Sequence, residues 1–330
     1  MNAAVLAAPG RVEVDEFDVP EVEDGQVLVR MRAASICGSD LHVVFDGFHR
    51  GRLGLPGYPG HEGVGEVVAS GDGGFAAGQP VLTVPATPAW NRCFGEYQVL
   101  DPRFVVPLPE GGDPSRLLLA QQLGTTIYAL RKFWSGGPGR CATLIGAGSA
   151  GLFFLQQLKA AGFEQVVVAD LEPERLDMAR ELGADVVVRA PAESVVDATL
   201  DATGGAGADL VVEAAGFDEC RAECIQAVRP RGRVGFFGYP QVQGSAPFPF
   251  ELAFRKAPTV EFFSGTQHEP GLRSFRDAVE AIHEGRIEVG YCLEPRLPLA
   301  RVDEAFAIAH EHRGGAIKVG IDLTPATAST

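Results

Sequence analysis

Apolar and polar residues alternate along much of the first third of the chain. Runs of this kind occupy residues 12–14, 26–33, 66–69, 80–84 and 95–100. A period of two predicts half-buried β-strands, and residues such as Pro20 and Gly25 predict the turns that join them. The first third is therefore predicted to fold as a compact, barrel-like β unit.

The pattern changes after Pro107. Apolar residues recur at helical spacing over residues 115–132, and we expect this helix to be interrupted near residues 124–126, which read Gly-Thr-Thr. From Cys141 onwards, short apolar runs alternate with helical patterns, which predicts repeated βα units and a doubly wound parallel sheet. The remainder predicts two helices and a closing strand, at residues 271–284, 302–310 and 316–321.

A glycine-rich turn, GAGSAG, joins the first predicted strand of this region to its first helix. In that context Gly146 permits the tight turn, Gly148 lets the backbone approach a pyrophosphate, and Gly151 lets the helix pack on the strand. Ser149 and Ala150 complete the turn, and a helix-like segment follows as far as Ala161, so the N–H groups at its N-terminus would face bound phosphates.

The following strand ends in an acid, Asp170, which precedes Leu171 and Glu172. A carboxylate at this point accepts hydrogen bonds from the ribose hydroxyls of an adenosine and repels a 2′-phosphate. The order strand, glycine turn, helix, strand and acid therefore predicts a dinucleotide site that prefers NAD to NADP. The alternative is a purely structural glycine turn in an unrelated α/β protein.

Length and charge narrow the class of protein. The 330 residues are enough for two domains, and 43 acidic against 28 basic residues give a formal net charge of −15. This acidity argues against nucleic acid and anionic membrane surfaces as partners. We see no signal-peptide pattern and no membrane span, and six cysteines are scattered along the chain, so we expect reduced thiols in a cytoplasmic protein.

A second group of residues has the chemistry of a metal site. Cys37 lies in the segment CGSDLH, and His61 and Glu62 lie in the segment GHEGVGEV. A thiolate, an imidazole and a carboxylate suit Zn²⁺ if the fold brings them together. Their spacing is not that of a zinc finger. The residues alone leave open both a zinc site and an ordinary buried thiol beside a histidine–glutamate pair in a loop.

Four segments together resemble the zinc-dependent medium-chain dehydrogenase/reductase family, which includes alcohol, sorbitol and threonine dehydrogenases. They are CGSDLH, GHEGVGEV, GAGSAG with Asp170, and the closing GAIKVGIDL. The resemblance extends over essentially the full length. It implies an α/β protein with a GroES-like β-barrel catalytic domain, residues 1–123 and 267–330, and a Rossmann doubly wound parallel-sheet domain that binds NAD, residues 124–266.

The resemblance also implies one catalytic zinc ion bound by Cys37 and His61, with Glu62 as a ligand or a close partner. Gln121 stands where the family carries an acid or a thiol for the same ion, and its neutral amide is a weak ligand. Either Glu62 and a water molecule complete the site, or the zinc is loosely held. Members with a structural zinc carry four clustered cysteines in a region that here contains only Cys93, so that second zinc is predicted to be absent.

The implied reaction is hydride transfer from an alcohol carbon to NAD, with zinc acting as a Lewis acid on the alcohol oxygen. By the same resemblance Ser39 takes the alcohol's proton and passes it, through the nicotinamide ribose, to His42 near the surface. The alternative for this pair is a loop hydroxyl and an exposed histidine. Asp40 is expected to orient the loop, and Arg175 either lies beside the adenine or is a solvated helix residue.

The expected substrate is a secondary alcohol, or its ketone, of the polyol, sugar or aminocyclitol kind. That expectation comes from residues predicted near the site, which are Phe45, Asp46, His49, Trp90, Phe94, Tyr239 and Gln267. Family members are commonly dimers or tetramers, so we expect a homodimer or homotetramer. Two alternatives are a zinc-free NADPH quinone or enone reductase of the same superfamily and a catalytically silent NAD-binding protein.

Overall fold

The computed structural model describes residues 1–48, 52–71, 74–85, 91–241 and 244–324. These residues form two compact units, Met1–Gly124 with Gly265–Thr330 and Thr125–Ser264. The strands of the described residues are β1 (Asn2–Ala8), β2 (Arg11–Glu16), β3 (Val27–Ser35), β4 (Gly63–Ser70), β5 (Pro80–Thr83), β6 (Tyr97–Leu100), β7 (Val105–Pro107), β8 (Cys141–Ile145), β9 (Gln165–Asp170), β10 (Val186–Arg189), β11 (Ala208–Glu213), β12 (Val228–Phe236), β13 (Thr259–Phe262), β14 (Leu293–Pro298) and β15 (Lys318–Asp322).

Helices occupy the second half of the chain more densely than the first. The α-helices of the same described residues are α1 (Gly38–Phe45), α2 (Pro114–Leu117), α3 (Ala120–Phe133), α4 (Ser149–Ala160), α5 (Pro173–Glu181), α6 (Val195–Ala202), α7 (Asp218–Ala227), α8 (Phe250–Lys256), α9 (Arg273–His283) and α10 (Val302–Glu311). None of these helices is long and apolar enough to span a membrane.

The first unit is built on a largely antiparallel sheet. Over the described residues its strand order is β14-β15-β3-β4-β5-β7, with β6 also paired to β3, and β1 with β2 forms a separate pair. The predicted alternation is visible in β3, where exposed Arg30 lies between buried Val29 and Met31. The buried side chains of the sheet pack with those of α10, including Phe306, in one apolar core.

The second unit is a parallel sheet in the order β10-β9-β8-β11-β12-β13. Its strands carry apolar side chains on both faces, because helices pack on either side. β8 lies in the middle of the sheet. β9 and then β10 follow on one side of it, and β11, β12 and β13 follow on the other side. The winding reverses between β8 and β11, which is where such a sheet binds ligands. The doubly wound sheet predicted from the βα repeats is confirmed.

The predicted interruption of the helix at residues 124–126 is wrong, because α3 continues through Gly124. A Cβ atom on Gly124 would lie 2.4 Å from the ring of Phe275 in α9. Glycine therefore serves close packing here and does not end the helix. The break in the 115–132 helix instead lies at residues 118 and 119, between α2 and α3.

Several further elements lie outside the runs that predicted strands and helices, among them α1, α6, α8, β7 and β14. The most important for the site is α1, since it turns the segment GSDLHVVF into a helix that begins directly after Cys37. Its polar residues at positions 39, 40 and 42 interrupt the apolar stripe, so the sequence pattern alone does not indicate a helix here.

Candidate functional site

Cys37, His61 and Glu62 come together at one end of the β3–β4 pair. These strands are antiparallel with Ala34 opposite Gly63, so the chain leaving β3 lies beside the chain entering β4. Cys37 follows β3, and His61 and Glu62 directly precede β4. As a result, one ligand atom from each residue lies within 4.8 Å of those of the other two.

Asp40 holds two of these residues with one carboxylate. Its Oδ2 accepts the backbone N–H of Cys37 at 2.9 Å, and its Oδ1 lies 2.9 Å from Nδ1 of His61. Burial alone would lower the pKa of His61, but Asp40 raises that pKa well above its ordinary value. With Nδ1 engaged, Nε2 is the ring nitrogen left for a metal, as in the carboxylate–histidine–metal arrangement. Asp40 thus orients the site, as expected.

Glu62 is a buried carboxylate with one satisfied oxygen and one unsatisfied oxygen. Its Oε2 accepts hydrogen bonds from Ser35 Oγ at 2.5 Å and from Lys318 Nζ at 2.7 Å. Its Oε1 is buried and has no hydrogen-bond partner among the described residues. Burial by itself would raise the pKa of Glu62, but the Lys318 ammonium outweighs it and the pKa is lowered. Glu62 is therefore held ionised with one oxygen available.

Sequence reasoning missed Ser35 and Lys318 as partners of Glu62. Lys318 is 4 % exposed, and its Nζ also lies 3.3 Å from the carbonyl oxygen of Ile36. A signal was present in the closing segment GAIKVGIDL, where one lysine interrupts an apolar strand. Lysine is almost never fully buried unless it is paired, so that position implied a buried anion elsewhere in the chain.

The donor set fits a zinc ion. Zinc accepts cysteine sulfur, histidine nitrogen and carboxylate oxygen, and here Cys37, His61 and Glu62 offer one of each. The unsatisfied Oε1 of Glu62 is a buried acceptor that a cation would satisfy. Gln121 is buried at the beginning of α3 and provides neither thiolate nor carboxylate.

Cys93 is hydrogen-bonded to the backbone of the segment that carries His61 and Glu62. Its N–H donates to the carbonyl oxygen of Gly60 at 3.0 Å, and its thiol donates to the carbonyl oxygen of Glu62 at 3.3 Å. Burial raises the pKa of the Cys93 thiol well above its ordinary value, so it stays protonated and unreactive. Cys93 is therefore a core thiol.

His42 is not near the surface, which corrects the expectation for the proton relay. The residue is 5 % exposed, its Nδ1 lies 2.7 Å from Asp46 Oδ2, and its ring packs on Phe48 at a centroid distance of 5.4 Å. These contacts follow from α1, which places His42 on its buried side. Ser39 lies half-buried in the first turn of the same helix.

The glycine turn has the backbone geometry predicted for it. Gly146 has a φ of +106°, which favours glycine, and a Cβ atom on Gly151 would lie 1.9 Å from the carbonyl oxygen of Gly146. A Cβ atom on Gly148 would meet nothing within 4 Å, so the backbone there faces open space. Ser149 and Ala150 are buried in the first turn of α4.

Asp170 is fixed beside this turn at the end of β9. Its Oδ2 accepts the N–H of Ala147 at 2.6 Å, and its Oδ1 accepts the N–H of Glu172 at 2.9 Å. The acid and the turn therefore form one rigid element. Arg175, on α5, is only 9 % exposed, so the interpretation of Arg175 as a solvated helix residue is wrong.

The residues expected to surround a substrate differ in burial and in the contacts they make. Phe94 is fully buried and packs edge-on against Phe306, so it belongs to the core and lines no open site. Phe45 stacks on His310 at 4.0 Å, and Asp46 is engaged by His42. Of the remaining candidates, Tyr239 is exposed, Gln267 is half-buried, and His49 and Trp90 lie outside the described residues.

Two family models match the chain. The model described as an alcohol dehydrogenase GroES-like domain matches residues 23–110, and the model described as a zinc-binding dehydrogenase matches residues 150–284. The first match confirms the GroES-like character expected for the β unit. The second includes most of the parallel sheet that carries the glycine turn.

Curated proteins and solved structures agree with these matches. L-threonine 3-dehydrogenase of Pyrococcus horikoshii is 31% identical over 297 residues, which is 80% of this chain and 83% of that protein. Sorbitol dehydrogenase of Bacillus subtilis is 23% identical over 350 residues, which is 97% of this chain and 96% of that protein. The alcohol dehydrogenase structure from Thermus sp. ATN1 superposes with a TM-score of 0.88 at 26% identity, with coverage of 98% and 100%.

The resemblance predicted from the four segments is confirmed by these relatives over most of the chain. The metal-ligand cluster and the glycine turn lie within two units that match the two corresponding family models. The chain belongs to the zinc-dependent medium-chain dehydrogenase family and is an oxidoreductase of its alcohol dehydrogenase type.

Proposed function

We propose that the chain transfers a hydride between a secondary alcohol and NAD, with one catalytic zinc ion held by Cys37, His61 and Glu62. The observation that carries the proposal is the buried, unpartnered Oε1 of Glu62, on a carboxylate that has one oxygen within 4.8 Å of ligand atoms of Cys37 and His61. A buried acceptor without a partner is costly, and coordination would satisfy it. Bound there, zinc supplies Lewis-acid polarisation of the substrate oxygen.

Each residue around the ligands has a distinct task. Asp40 keeps His61 in the tautomer that offers Nε2, and it also fixes the backbone of Cys37. Lys318 holds Oε2 of Glu62 and thereby leaves Oε1 as the ligand oxygen. We assign the third protein ligand to Glu62 because its carboxylate is charged and Gln121 offers only a neutral amide.

The proton released by the alcohol travels through Ser39 and His42 in this proposal. Ser39 Oγ accepts and donates one proton at a time, as hydroxyl groups do. His42 then receives the proton, and the contact between its Nδ1 and Asp46 Oδ2 at 2.7 Å orients its buried ring.

The proposed cofactor is NAD, whose nicotinamide supplies the hydride chemistry. Its pyrophosphate would lie on the turn formed by Gly146, Gly148 and Gly151, at the N-terminus of α4. The Asp170 carboxylate, oriented by two backbone N–H groups, accepts hydrogen bonds from ribose hydroxyls and repels a 2′-phosphate. The adjacent Glu172 adds a second negative charge, which supports NAD over NADP.

For the substrate we propose a polyol, sugar or aminocyclitol with a secondary alcohol. The names of two relatives, L-threonine 3-dehydrogenase and sorbitol dehydrogenase, refer to small substrates in which the reacting alcohol has polar neighbours. A substrate of that kind is compatible with the polar surroundings of the candidate metal site.

We also propose that the protein assembles as a homodimer or homotetramer in the cytoplasm. In the described part of the chain β13 pairs only with β12, so its outer edge can pair with a second copy about a two-fold axis. Phe250, Phe254 and Phe262 are 73 %, 77 % and 72 % exposed on α8 and β13. Three aromatic rings this exposed would be covered by such a partner. The six free thiols support a reducing compartment.

The function is tested by measuring metal content and turnover on the same preparation. Protein purified without added zinc is analysed for metal, and then assayed against polyols, sugars and aminocyclitols by NADH absorbance with NAD and with NADP. We expect about one zinc ion per chain and NAD-dependent oxidation of at least one substrate.

Two results would favour a different function for this protein. Metal-free protein that reduces quinones or enones with NADPH would identify the zinc-free reductase. Binding of NAD without turnover on any alcohol, in protein that contains zinc, would identify a silent NAD-binding protein.

A further inference from the structure

A second buried carboxylate, Glu213, lies at the carboxyl end of β11 and has no task in the proposed function. Its side chain is completely buried. Oε1 accepts the N–H of Ala215 at 2.6 Å and also the N–H of Gly216. Oε2 has no hydrogen-bond partner among the described residues, and its nearest cation is Arg221, whose Nε is 3.7 Å away. An ionisable group this buried is expensive to retain without a function.

Glu213 and Arg221 connect two loops, residues 214–216 after β11 and residues 237–241 after β12, which we call the paired loops. The carbonyl oxygen of Glu213 accepts the N–H of Gly238 at 3.0 Å, and Arg221 donates to the carbonyl oxygen of Gly238 at 3.1 Å. Gly216 has a φ of +91°, and a Cβ atom there would lie 2.2 Å from the carbonyl oxygen of Tyr239. The paired loops are therefore held in close contact, and the Glu213 carboxylate fixes the conformation of the first.

The paired loops begin directly beside the glycine turn. β8 and β11 are neighbours with Ile145 opposite Glu213, and Ala214 donates its N–H to the carbonyl oxygen of Ile145 at 2.8 Å. A Cβ atom on Gly146 would lie 3.0 Å from the backbone of Ala214. Asp170 lies at the end of β9, on the other side of β8. The glycine turn thus has the adenosine-binding acid on one side and the paired loops on the other.

This order of strands fixes which half of a dinucleotide meets the paired loops. An adenosine ribose on Asp170 and a pyrophosphate on the glycine turn direct the nicotinamide half across the reversal point, toward β11 and β12. Building on the proposed NAD function, we propose that Glu213 is a positioning residue that shapes the paired loops for the nicotinamide half of the cofactor. It acts through the backbone of residues 214–216 and does not touch the reacting atoms.

The test compares two ligands that share the adenosine half. NADH and ADP-ribose are titrated calorimetrically into the full-length wild type and into Glu213→Ala. Loss of the acceptor for two backbone N–H groups is expected to raise the Kd for NADH about tenfold. The Kd for ADP-ribose, which lacks the nicotinamide, is expected to stay within about twofold of the wild-type value.

Three further variants separate positioning from folding. Glu213→Gln retains an oxygen for both N–H groups, so we expect it to restore most of the NADH affinity. Arg221→Met keeps the carboxylate but removes the link to Gly238. If Glu213→Ala does not fold, the same titrations are made with Arg221→Met. We then expect weaker NADH binding and unchanged ADP-ribose binding. Glu219→Ala removes an exposed acid from α7 and is expected to bind both ligands as the wild type does.

The outcomes distinguish this inference from the function on which it rests. Equal weakening of NADH and ADP-ribose, or a lower unfolding midpoint with both affinities unchanged, would mean that Glu213 is only structural. Failure of the wild type to bind ADP-ribose at all would refute the dinucleotide site itself, and the inference with it. Selective weakening of NADH with recovery in Glu213→Gln supports the positioning role.

Discussion

Replacing Lys318 by methionine tests the buried charges behind the metal ligands. The ammonium group of Lys318 and the carboxylate of Glu62 are 2.7 Å apart, with side chains 2 % and 1 % exposed. Methionine has a similar length and fills the same space without a charge. In Lys318→Met the Glu62 carboxylate would stay buried with Ser35 as its remaining hydrogen-bond donor at Oε2.

The expected loss of stability follows from that uncompensated charge. Removing one partner of a buried ion pair typically costs about 3–5 kcal/mol. The short hydrogen bond from Ser35 compensates part of the charge, so we expect about 3 kcal/mol for Lys318→Met. Lys318→Met combined with Glu62→Gln removes both charges and should recover most of this loss. Arg301→Met breaks an exposed pair with Glu304 and should cost about 0–1 kcal/mol.

The loss of stability in Lys318→Met should depend on zinc, because a bound cation would replace the positive charge that Lys318 supplied. Urea unfolding is therefore measured for zinc-loaded and chelator-treated protein, and zinc affinity is measured by competition with a coloured chelator. We expect a smaller destabilisation of Lys318→Met in the zinc-loaded protein. By linkage, the folded variant should bind zinc at least as tightly as the wild type.

Two results would refute this reasoning. One is a destabilisation by Lys318→Met no greater than that by Arg301→Met, which would mean that the buried pair carries no net charge interaction. The other is a loss of stability that is equal with and without zinc, together with an unchanged affinity for zinc. That result would place the metal away from Glu62.

Four further predictions concern other residues. Cys37→Ser should lose its zinc and more than about 100-fold of its turnover with NADH binding unchanged, and retained turnover would exclude Cys37 as a ligand. Asp170→Ala should reduce the kcat/KM preference for NAD over NADP about tenfold, whereas an unaltered ratio would remove its assigned role. Gln121→Glu should bind zinc about tenfold more tightly if this side chain reaches the ion, and equal affinity would place Gln121 outside the ligand shell. Burial alone would raise the pKa of Asp209, but hydrogen bonds from Arg229 and two backbone N–H groups lower it. Asp209→Asn should therefore cost about 1 kcal/mol at pH 7, and the difference from wild type should vanish as the pH falls below about 4, as followed by thermal unfolding; a constant difference would contradict it.

The parallel sheet was predictable because short stretches of sequence are enough to indicate each of its strands, turns and helices. Each βα unit carries its own apolar strand, turn and helix, and the handedness of βα connections leaves few strand orders open. Contacts between distant residues were not predictable in this way. The glycine at position 124 signalled a break, but its actual partner is Phe275, which lies about 150 residues further along the chain. Local propensity cannot anticipate such a contact.

The candidate site shows the same division between local chemistry and distant contacts. The residue types Cys37, His61 and Glu62 left a zinc site open and the family resemblance implied it. The antiparallel pairing of β3 with β4 explains why the three residues meet. The burial of His42 was missed, since it depends on the unanticipated helix α1. The pairing of Lys318 with Glu62 was also missed, since the two residues are far apart in sequence and meet only in the folded unit.

The charges of the buried site argue independently for a divalent cation. With His61 neutral and Cys37 ionised, as zinc coordination requires, the thiolate, Asp40 and Glu62 contribute three negative charges and Lys318 contributes one positive charge. A divalent ion would neutralise the two negative charges that remain. Without an ion, the proton that His61 keeps because its pKa is well raised offsets one of these negative charges. A proton on His61 thus replaces part of the positive charge that a zinc ion would bring to this buried cluster of anions.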